Sequence, residues 1–496
     1  LIQINNYRTI VAMEAKIKET DIYIIPDIEE FTVVDFGKGH KIISAGEEQA
    51  KTFSDDFVEV ASWQNRSYKK PPLKQQLTDS LNIRSIEIKG NKYYTRSYVL
   101  GKLRIRPPAD LTYAQFFSGI DNLASTGNFQ RVNHKFVKYD NGDYNLILNL
   151  EEGDITTLIR ASVHYDDLYK SAALGNLTKK RLLFKNDVAS LDLIVGDNLR
   201  YELNYYSDNG FYIGFGFRSA YTGFNSRVSA RFVEDIAEVP LESFNSLNVE
   251  FSDFTNQVYI QTLFAKQFSF NLGLEQKLLS VETENIRQED VEEQRFYFEN
   301  SNYISGYGKL FLDTFDNKYF PKSGFYFSGD FHWYLFSSNF NDNFNSFSIG
   351  KAQFKYATHF GSKLSMNLGV AGGFKIAGES INSLDFYLGG WGNDFLNNIT
   401  PFYGYDFFTL SGDGLVKSTL MFDYEIYPKN HINIGGNIAN LGNKLFSSGN
   451  WFSSPDLSGY FIGYGLETFL GPLQTKISYS PEIGKVFWNF SLGFWF

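Results

Sequence analysis

The sequence predicts a mainly β protein whose larger part is a transmembrane antiparallel β-barrel. Three observations predict it. Aromatic residues make up 18% of the 496 residues while the mean hydropathy is −0.26, as expected when aromatic girdles surround a polar lumen. No run approaches the roughly 18 apolar residues that a membrane-spanning helix needs. From residue 157 to the end of the sequence, strand and turn patterns alternate.

The last predicted strand has the clearest alternation. One face carries Val486, Trp488, Phe490, Leu492, Phe494 and Phe496, and the other carries Phe487, Asn489, Ser491, Gly493 and Trp495. A period of two predicts that the first set faces lipid and the second faces the lumen. We expect this strand to pair with the first one, near residues 157–166, with Phe496 near a membrane interface. A large soluble β protein would also alternate, but it would rarely expose so aromatic an edge.

An earlier strand, residues 420–427, indicates a wet lumen. Leu420 and Phe422 alternate with Asp423 and Glu425, so the acids lie on the inner face. Unpaired carboxylates would be costly in the core of a soluble β-sandwich. At roughly 20 residues for a strand and its connection, residues 155–496 accommodate about sixteen strands, an even number as single-chain barrels prefer.

Composition excludes several classes of function. The chain has no cysteine, so it has neither disulfides nor thiolate metal sites. A formal net charge of −10 argues against a nucleic-acid partner, because phosphate binding needs a basic face. The six histidines show no metal-ligand spacing; they are His40, His134, His164, His332, His359 and His431. We expect no cofactor and no metal.

The sequence pattern of residues 81–153 predicts a compact α/β unit. Its expected elements are a strand over 83–88, helices over 95–103 and 110–125, and a hairpin of strands 132–139 and 144–150. Asp110 is the expected N-cap of the second helix. Asn141-Gly142 between the last two strands is a strong hairpin signal.

Residues 1–65 mix helical and strand patterns. A helix is expected over 11–20, a buried strand over 21–26 that Pro26 ends, and a helix over 37–61. The expected buried face of that last helix consists of Ile42, Ile43, Ala45, Ala50 and Phe53. Residues 66–80, which include Lys69-Lys70-Pro71-Pro72, suit a linker between domains.

Residues 81–153 resemble a POTRA domain, the periplasmic module of barrels in the BamA/TamA superfamily. The resemblance depends on the order of the elements and on the motifs Ile83-x-x-Ile86-x-Ile88-x-Gly90-Asn91 and Thr126-Gly127-Asn128-Phe129-x-x-Val132. A generic small α/β domain is the alternative. A barrel that follows directly favours the POTRA interpretation.

Residues 155–496 resemble the barrel of the same superfamily. Its recurrent D-x-x-D-N-x-x-x-P-x-x-G segment is matched by Asp313, Asp316, Asn317, Pro321 and Gly324. Physically, this is a tight turn that leads from one strand to the next. The resemblance implies a bacterial outer-membrane protein.

The resemblance also implies a long loop folded into the barrel, which Phe386-Tyr387-Leu388-Gly389-Gly390 would open. In the family, the loop tip carries an Arg-Gly pair whose arginine meets acids of the lumen. Here the tip has Tyr403-Gly404, so tyrosine replaces the arginine. We expect Glu425 to accept a hydrogen bond from Tyr403, and aromatic packing to hold the loop inside. The departure weighs against a protein-insertion activity.

Residues 1–65 resemble the C-terminal end of a patatin-like phospholipase domain. The matching residues are Thr20-Asp21-Ile22-Tyr23-Ile24-Ile25-Pro26-Asp27-Ile28, Phe31-x-x-x-Asp35-Phe36 and Ile42-Ile43-x-Ala45-Gly46-Glu47. The order patatin, POTRA, barrel is itself a known architecture. A free-standing N-terminal extension is the alternative, but so short a segment cannot bury a core alone.

Patatins use a Ser-Asp dyad, with the serine in a G-x-S-x-G elbow and the aspartate in D-G-[GA]. This sequence has no G-x-S-x-G, and Asp413-Gly414 lies in a barrel loop where a turn explains it. We therefore expect no catalytic residue in the chain, and a longer parent protein whose catalytic motifs precede Leu1.

These resemblances imply a barrel and POTRA domain that anchor, or secrete, a patatin-like lipid acyl hydrolase in the outer membrane of a Gram-negative bacterium. The POTRA domain and the N-terminal region would be periplasmic. Implied partners are outer-membrane lipids, the barrel assembly machinery during biogenesis, and a lipid substrate of the hydrolase. The alternatives are a protein insertase or translocase of the BamA/TamA type, and a passive pore.

Overall fold

The computed structural model describes residues 13, 16–28, 39–63, 80–210, 213–229, 246–264, 268–284, 296–339, 344–376, 382–392 and 398–494. The chain divides into two compact units, Leu1–Thr78 and Asp79–Phe496. The described part of the first unit contains the helices α1, Gly39–Lys51, and α2, Ser54–Trp63. Among the described residues, no helix is both long and apolar enough to cross a membrane.

The first unit corrects two sequence predictions. Residues 21–28 are irregular rather than a strand, because no described residue of the unit supplies the partner backbone that a strand needs. The helix predicted over 37–61 is two helices, α1 and α2. The side chains of Thr52 and Ser54 donate to the carbonyls of Gln49 and Lys51, and such bonds compete with helix continuation.

The predicted buried face of α1 is also wrong. Neither α1 nor α2 has a buried residue, and Ile43 is 62% exposed. Of the expected set, Ile42, Ala45, Ala50 and Phe53 are half-buried, and Ile43 is exposed. Of the helix predicted over 11–20, residues 13 and 16–20 are described, and 13 and 16–18 are helical. The predicted linker lies outside the described residues apart from Ser80.

The second unit begins with a four-stranded sheet of order β2-β1-β4-β3 and two helices. Its elements are β1, Ser80–Lys89; α3, Arg96–Leu103; β2, Ala109–Thr112; α4, Tyr113–Ala124; β3, Phe129–Lys138; and β4, Tyr144–Glu152. Fully buried Val99, Phe116, Leu123, Leu146 and Leu148 form the centre of its core. The predicted α/β unit and its hairpin are confirmed.

The second helix of this unit begins later than predicted. Asp110 is not its N-cap, because residues 109–112 are extended and pair with β1. The cap is Thr112, whose hydroxyl accepts from the Gln115 amide while the Gln115 side chain accepts from the Thr112 amide. This reciprocal capping box starts the helix directly after the edge strand.

A closed antiparallel barrel of sixteen strands follows, as the sequence predicts. The first eleven strands are β5, Thr157–Asp166; β6, Lys170–Lys180; β7, Asp187–Gly196; β8, Arg200–Ser207; β9, Gly214–Ser229; β10, Ser246–Phe264; β11, Phe268–Thr283; β12, Phe296–Asp313; β13, Gly324–Asn339; β14, Phe347–Phe360; and β15, Leu364–Ile376. The last five are β19, Gly414–Tyr427; β20, Asn430–Gly442; β21, Leu457–Thr468; β22, Gly471–Ser480; and β23, Lys485–Gly493.

Between β15 and β19 lies a small sheet of β16, Phe386–Leu388; β17, Ile399–Thr400; and β18, Leu410–Gly412. A 3₁₀ turn at Asn382–Leu384 precedes it. A short helix, α5 (Leu445–Ser448), and a 3₁₀ turn at Asn450–Phe452 connect β20 to β21.

The outer face of the wall is apolar. Five residues pair across neighbouring strands in one row and are all exposed: Phe422, Ile434, Ile462, Ile477 and Trp488. The inward neighbour Asp423 is buried. Of the other closing-strand residues, Phe490 lies against Tyr165, Leu492 is half-buried, and Phe494 is exposed with its ring near Tyr319.

The barrel closes through a short seam between β23 and β5. Within the described residues, the two strands pair at Leu492–Tyr165 and Gly493–His164, whereas β5 pairs with β6 along its whole length. Gly493 has φ +98, and a Cβ there would lie 2.0 Å from the Val163 carbonyl oxygen. Glycine therefore permits the approach that closes the sheet. Phe496 lies outside the described residues.

Candidate functional site

Residues 382–412, which we call the lumen loop, pack among inward-facing side chains of the wall. Phe386, Leu388, Phe402 and Tyr405 of the loop share one buried cluster with residues of six strands: Leu279, Tyr303, Tyr334, Phe347, Ile349, Leu415 and Ala439. Burial of this apolar surface holds the loop in the barrel.

A second cluster fixes the C-terminal half of the lumen loop. The ring of Phe408 stacks on Phe251 at 5.1 Å and on Phe224 at 5.8 Å, with interplanar angles of 12°. Phe408 has φ +57, a left-handed conformation that is rare for a bulky residue. The stacked rings stabilise this strained backbone, so the loop and wall have one defined register.

The tip of the loop is held by a lysine of the wall. Lys476 Nζ donates to the Tyr403 hydroxyl at 2.9 Å and lies 4.9–5.0 Å from the ring centroids of Tyr403, Trp391 and Phe461. Tyr403 also stacks on Phe461 at 3.9 Å. The loop thus supplies aromatic faces and the wall supplies the cation.

The backbone of the tip is fixed as well. The Tyr403 amide donates to Asn437 Oδ1 at 2.7 Å, and its carbonyl accepts from Asn437 Nδ2 at 3.3 Å. Gly404 has φ +87, and a Cβ there would lie 2.9 Å from backbone atoms of Tyr479. Glycine is therefore required where the loop passes the wall.

The predicted contact between Tyr403 and Glu425 is wrong. The Glu425 carboxylate accepts from the Lys322 ammonium and from the Lys429 amide, and Lys322 comes from the turn after β12. The wall therefore satisfies this acid without the loop. Lys322 and Lys476 are functional side chains that sequence reasoning missed, although the period of two already places Lys476 on the inner face of β22.

The turn of residues 313–324 is built by its own polar side chains. Asp316 Oδ1 accepts from the amides of Lys322 at 2.9 Å and Ser323 at 3.0 Å. Asn317 Oδ1 accepts from the amides of Tyr319 and Phe320, and Asp313 Oδ1 from that of Phe315. Pro321 lies within the turn, and Gly324 is the first residue of β13. The turn places Phe320 on the His431 ring, with centroids 4.1 Å apart.

The lumen also contains a cavity of about 700 Å³ lined by charged side chains. Lys277 Nζ bonds Asp253 at 2.6 Å, and Gln257 donates to Glu275 at 2.6 Å. Within the described residues, no group of three His, Asp or Glu side chains is arranged to hold a metal ion.

The α/β domain contacts two turns at one end of the barrel. Lys180, the last residue of β6, and Arg181, which follows it, donate to the carbonyls of Gly127 and Gly153 at 2.7 and 2.9 Å. Lys102 pairs with Asp208, beyond β8. Burial raises the pKa of the nearby Tyr98 hydroxyl. Charge-assisted bonds of this kind fix the domain's orientation at the barrel rim.

The geometry of the tip gives a graded prediction. We expect Tyr403→Phe to destabilise the barrel by about 1.5 kcal/mol, because it loses only the acceptor for Lys476. Tyr403→Ala also loses the ring and leaves a cavity, so we expect about 3–5 kcal/mol. The measurement is the urea midpoint of heat-modifiable migration on gels.

Tyr460→Phe is the matched control, because its exposed hydroxyl makes no hydrogen bond within the described residues. It should leave the midpoint unchanged. Equal losses in Tyr403→Phe and Tyr403→Ala would mean that the hydroxyl, and not the ring, fixes the tip.

Comparison with known proteins identifies the barrel. A family model described as the OMP85 superfamily matches residues 144–496. One similar solved structure is BamA from Haemophilus ducreyi lacking POTRA domains 1–3, which is 14% identical in sequence and has a TM-score of 0.57; the match covers 83% of this chain and 84% of that chain. Another is CdiB from Acinetobacter baumannii, which is 14% identical in sequence and has a TM-score of 0.52; the match covers 83% of this chain and 73% of that chain. At this identity they show the fold alone. No curated protein matches the chain.

Proposed function

The chain belongs to the OMP85 superfamily, and we propose that it is an outer-membrane anchor for a patatin-like lipid acyl hydrolase. The observation that carries the anchoring role is the filled lumen. The lumen loop buries Phe402 and Phe408 among inward side chains of the wall. A barrel occupied by its own loop holds a protein in a membrane without serving as an open channel, which disfavours a passive pore.

The hydrolase part of the proposal is supported by residues 20–47, whose pattern resembles the end of a patatin-like domain. The helices α1 and α2 expose large apolar side chains, namely Ile43, Phe57, Val58 and Trp63. Exposed apolar surface of this kind is suited to packing against another domain. The proposed substrates are lipids of the membrane that the barrel spans.

The α/β domain, which we propose to be a POTRA domain, would lie with the N-terminal region on the periplasmic side of a Gram-negative outer membrane. Its hydrogen bonds to the barrel turns support a fixed position at the barrel rim. The barrel assembly machinery is the proposed partner during biogenesis.

Acyl hydrolysis tests the proposal. Purified residues 1–496 should not hydrolyse acyl esters, whereas a form extended upstream to include a G-x-S-x-G segment should do so and should react with a fluorophosphonate probe. The serine-to-alanine variant of the extended form is the matched control. Robust hydrolysis by residues 1–496 would contradict the account, because it would require a catalytic nucleophile within these residues.

The short seam favours a second candidate, a protein insertase or translocase of the BamA/TamA type. Among the described residues, only two positions pair between β23 and β5. A strand edge with few backbone pairs is suited to pairing with another strand. Upstream coding sequence discriminates the candidates: further POTRA repeats would favour the insertase, and a G-x-S-x-G segment would favour the hydrolase anchor.

A further inference from the structure

The charged cavity of the lumen has an imbalance in its hydrogen bonding. Five of its lining residues are carboxylates, Asp192, Glu202, Asp253, Glu275 and Asp330, and five are Arg or Lys, Arg200, Arg218, Lys277, Lys309 and Lys351. Each carboxylate has a polar side chain within 3.5 Å, although Glu275 Oε1 and Asp330 Oδ1 make no hydrogen bond within the described residues. The partners of the five carboxylates, in the same order, are Asn176, Arg218, Lys277, Gln257 and His332.

Arg200 differs from the five carboxylates. Only 6% of the residue is exposed, and its Nε and Nη2 atoms have no hydrogen-bond partner within the described residues. The guanidinium lies over the Tyr169 ring, 3.9 Å from its centroid. A buried cation without a bonded counter-charge is costly, so such a group is suited to an anionic ligand.

Asp166, which interacts electrostatically with Arg200, does not supply that partner. The Asp166 carboxylate is occupied by His164 Nε2 at 2.6 Å and by the amides of Leu168 and Tyr169, both at 2.7 Å. The Tyr169 ring covers a face of the guanidinium, and it cannot accept the bonds that Nε and Nη2 direct within the guanidinium plane. Nε and Nη2 belong to the planar fork of donors that binds two oxygens of a carboxylate or phosphate.

We propose that Arg200 forms an oxyanion-binding site in the barrel lumen, which takes one carboxylate or phosphate group of a small solute. Tyr169 holds the guanidinium plane, and Nε and Nη2 make two hydrogen bonds to the ligand. The cavity of about 700 Å³ has room for the rest of a small molecule. This site goes beyond the proposed anchoring role and does not depend on the hydrolase.

Calorimetric titration of residues 1–496 in detergent tests the site, with inorganic phosphate and acetate as separate probes. We expect saturable binding of at least one probe, weakened about tenfold or more in Arg200→Met. Arg200→Lys keeps the charge but loses the planar fork, and we expect it to bind at an intermediate level. Stronger binding of phosphate or of acetate identifies which group the natural solute carries.

Arg160→Met is the matched control. Arg160 is exposed, lies on β5 and does not line the cavity, so the variant removes the same charge without touching the site. The affinity of this variant for phosphate and acetate should equal that of the unmodified chain. Heat-modifiable migration verifies that each variant folds. If Arg200→Met does not fold, Arg200→Lys takes its place in the binding comparison. Absence of saturable binding of both probes to the folded chain, or equal affinities in the Arg200 and Arg160 variants, would overturn the proposal.

Discussion

Replacing Ile462 by arginine is expected to destabilise the folded barrel by about 2–4 kcal/mol, the cost of a basic side chain near the bilayer midplane. Ile462 is 52% exposed at the middle of β21 and pairs with Ile434 on one side and Ile477 on the other. An arginine there would face lipid among apolar neighbours. The measurement is the urea midpoint of heat-modifiable migration, together with the amount of folded protein in outer membranes.

Asn204→Arg is the matched control for this substitution. Asn204 lines the charged cavity and donates to Glu202 at 2.6 Å, so an arginine there meets an acid in a polar lumen. We expect a change of less than about 1 kcal/mol. If Ile462→Arg assembled at normal levels with an unchanged midpoint, the outer face of β21 would not face lipid.

Replacing Phe408 by alanine is expected to destabilise the lumen loop by about 3–5 kcal/mol. The ring is 2% exposed and is stacked with both Phe224 and Phe251, so its removal leaves a cavity at the centre of the cluster. With this packing lost, the loop should leave its place more often and open the lumen. Ion conductance of the protein in planar bilayers should therefore rise.

Phe407→Ala controls for the loss of a phenylalanine from the same segment. Phe407 is only half-buried, and its ring is 6.4 Å from that of Phe408 rather than within the stack. This variant should conduct little more than the unmodified chain. Equal conductance of the two variants would show that the stack of Phe224, Phe251 and Phe408 does not keep the loop in place.

Local sequence patterns were enough to predict the lipid-facing side of the last strand and one of the turns. The period of two in residues 486–496 identified the lipid-facing side of the last strand, because side-chain direction in a strand depends on position alone. The exposure of Trp488 agrees with that assignment, at 70%. The turn of residues 313–324 was also predicted from the sequence, because the side chains of Asp316 and Asn317 accept hydrogen bonds from backbone amides only a few positions away.

The sequence alone did not predict which of two competing local structures forms at an element boundary. Asp110 and Thr112 are both good N-cap residues, and the choice between them depends on residues 109–112 pairing with β1, which lies far away in the sequence. The break between α1 and α2 was missed for a related reason. The hydrophobic periodicity of residues 37–61 carries no information about the side-chain hydrogen bonds of Thr52 and Ser54.

The interior of the barrel was decided by the tertiary structure. The sequence indicated that Tyr403 replaces a cation, but only the folded wall brings Lys476 to it from β22 and Lys322 to Glu425 from a turn. Arg200 gave no sequence signal at all, because its stacking on Tyr169 requires the turn after β5 to lie beside the start of β8. A strand pattern fixes which side chains point inward, and only closure of the sheet fixes which of them meet.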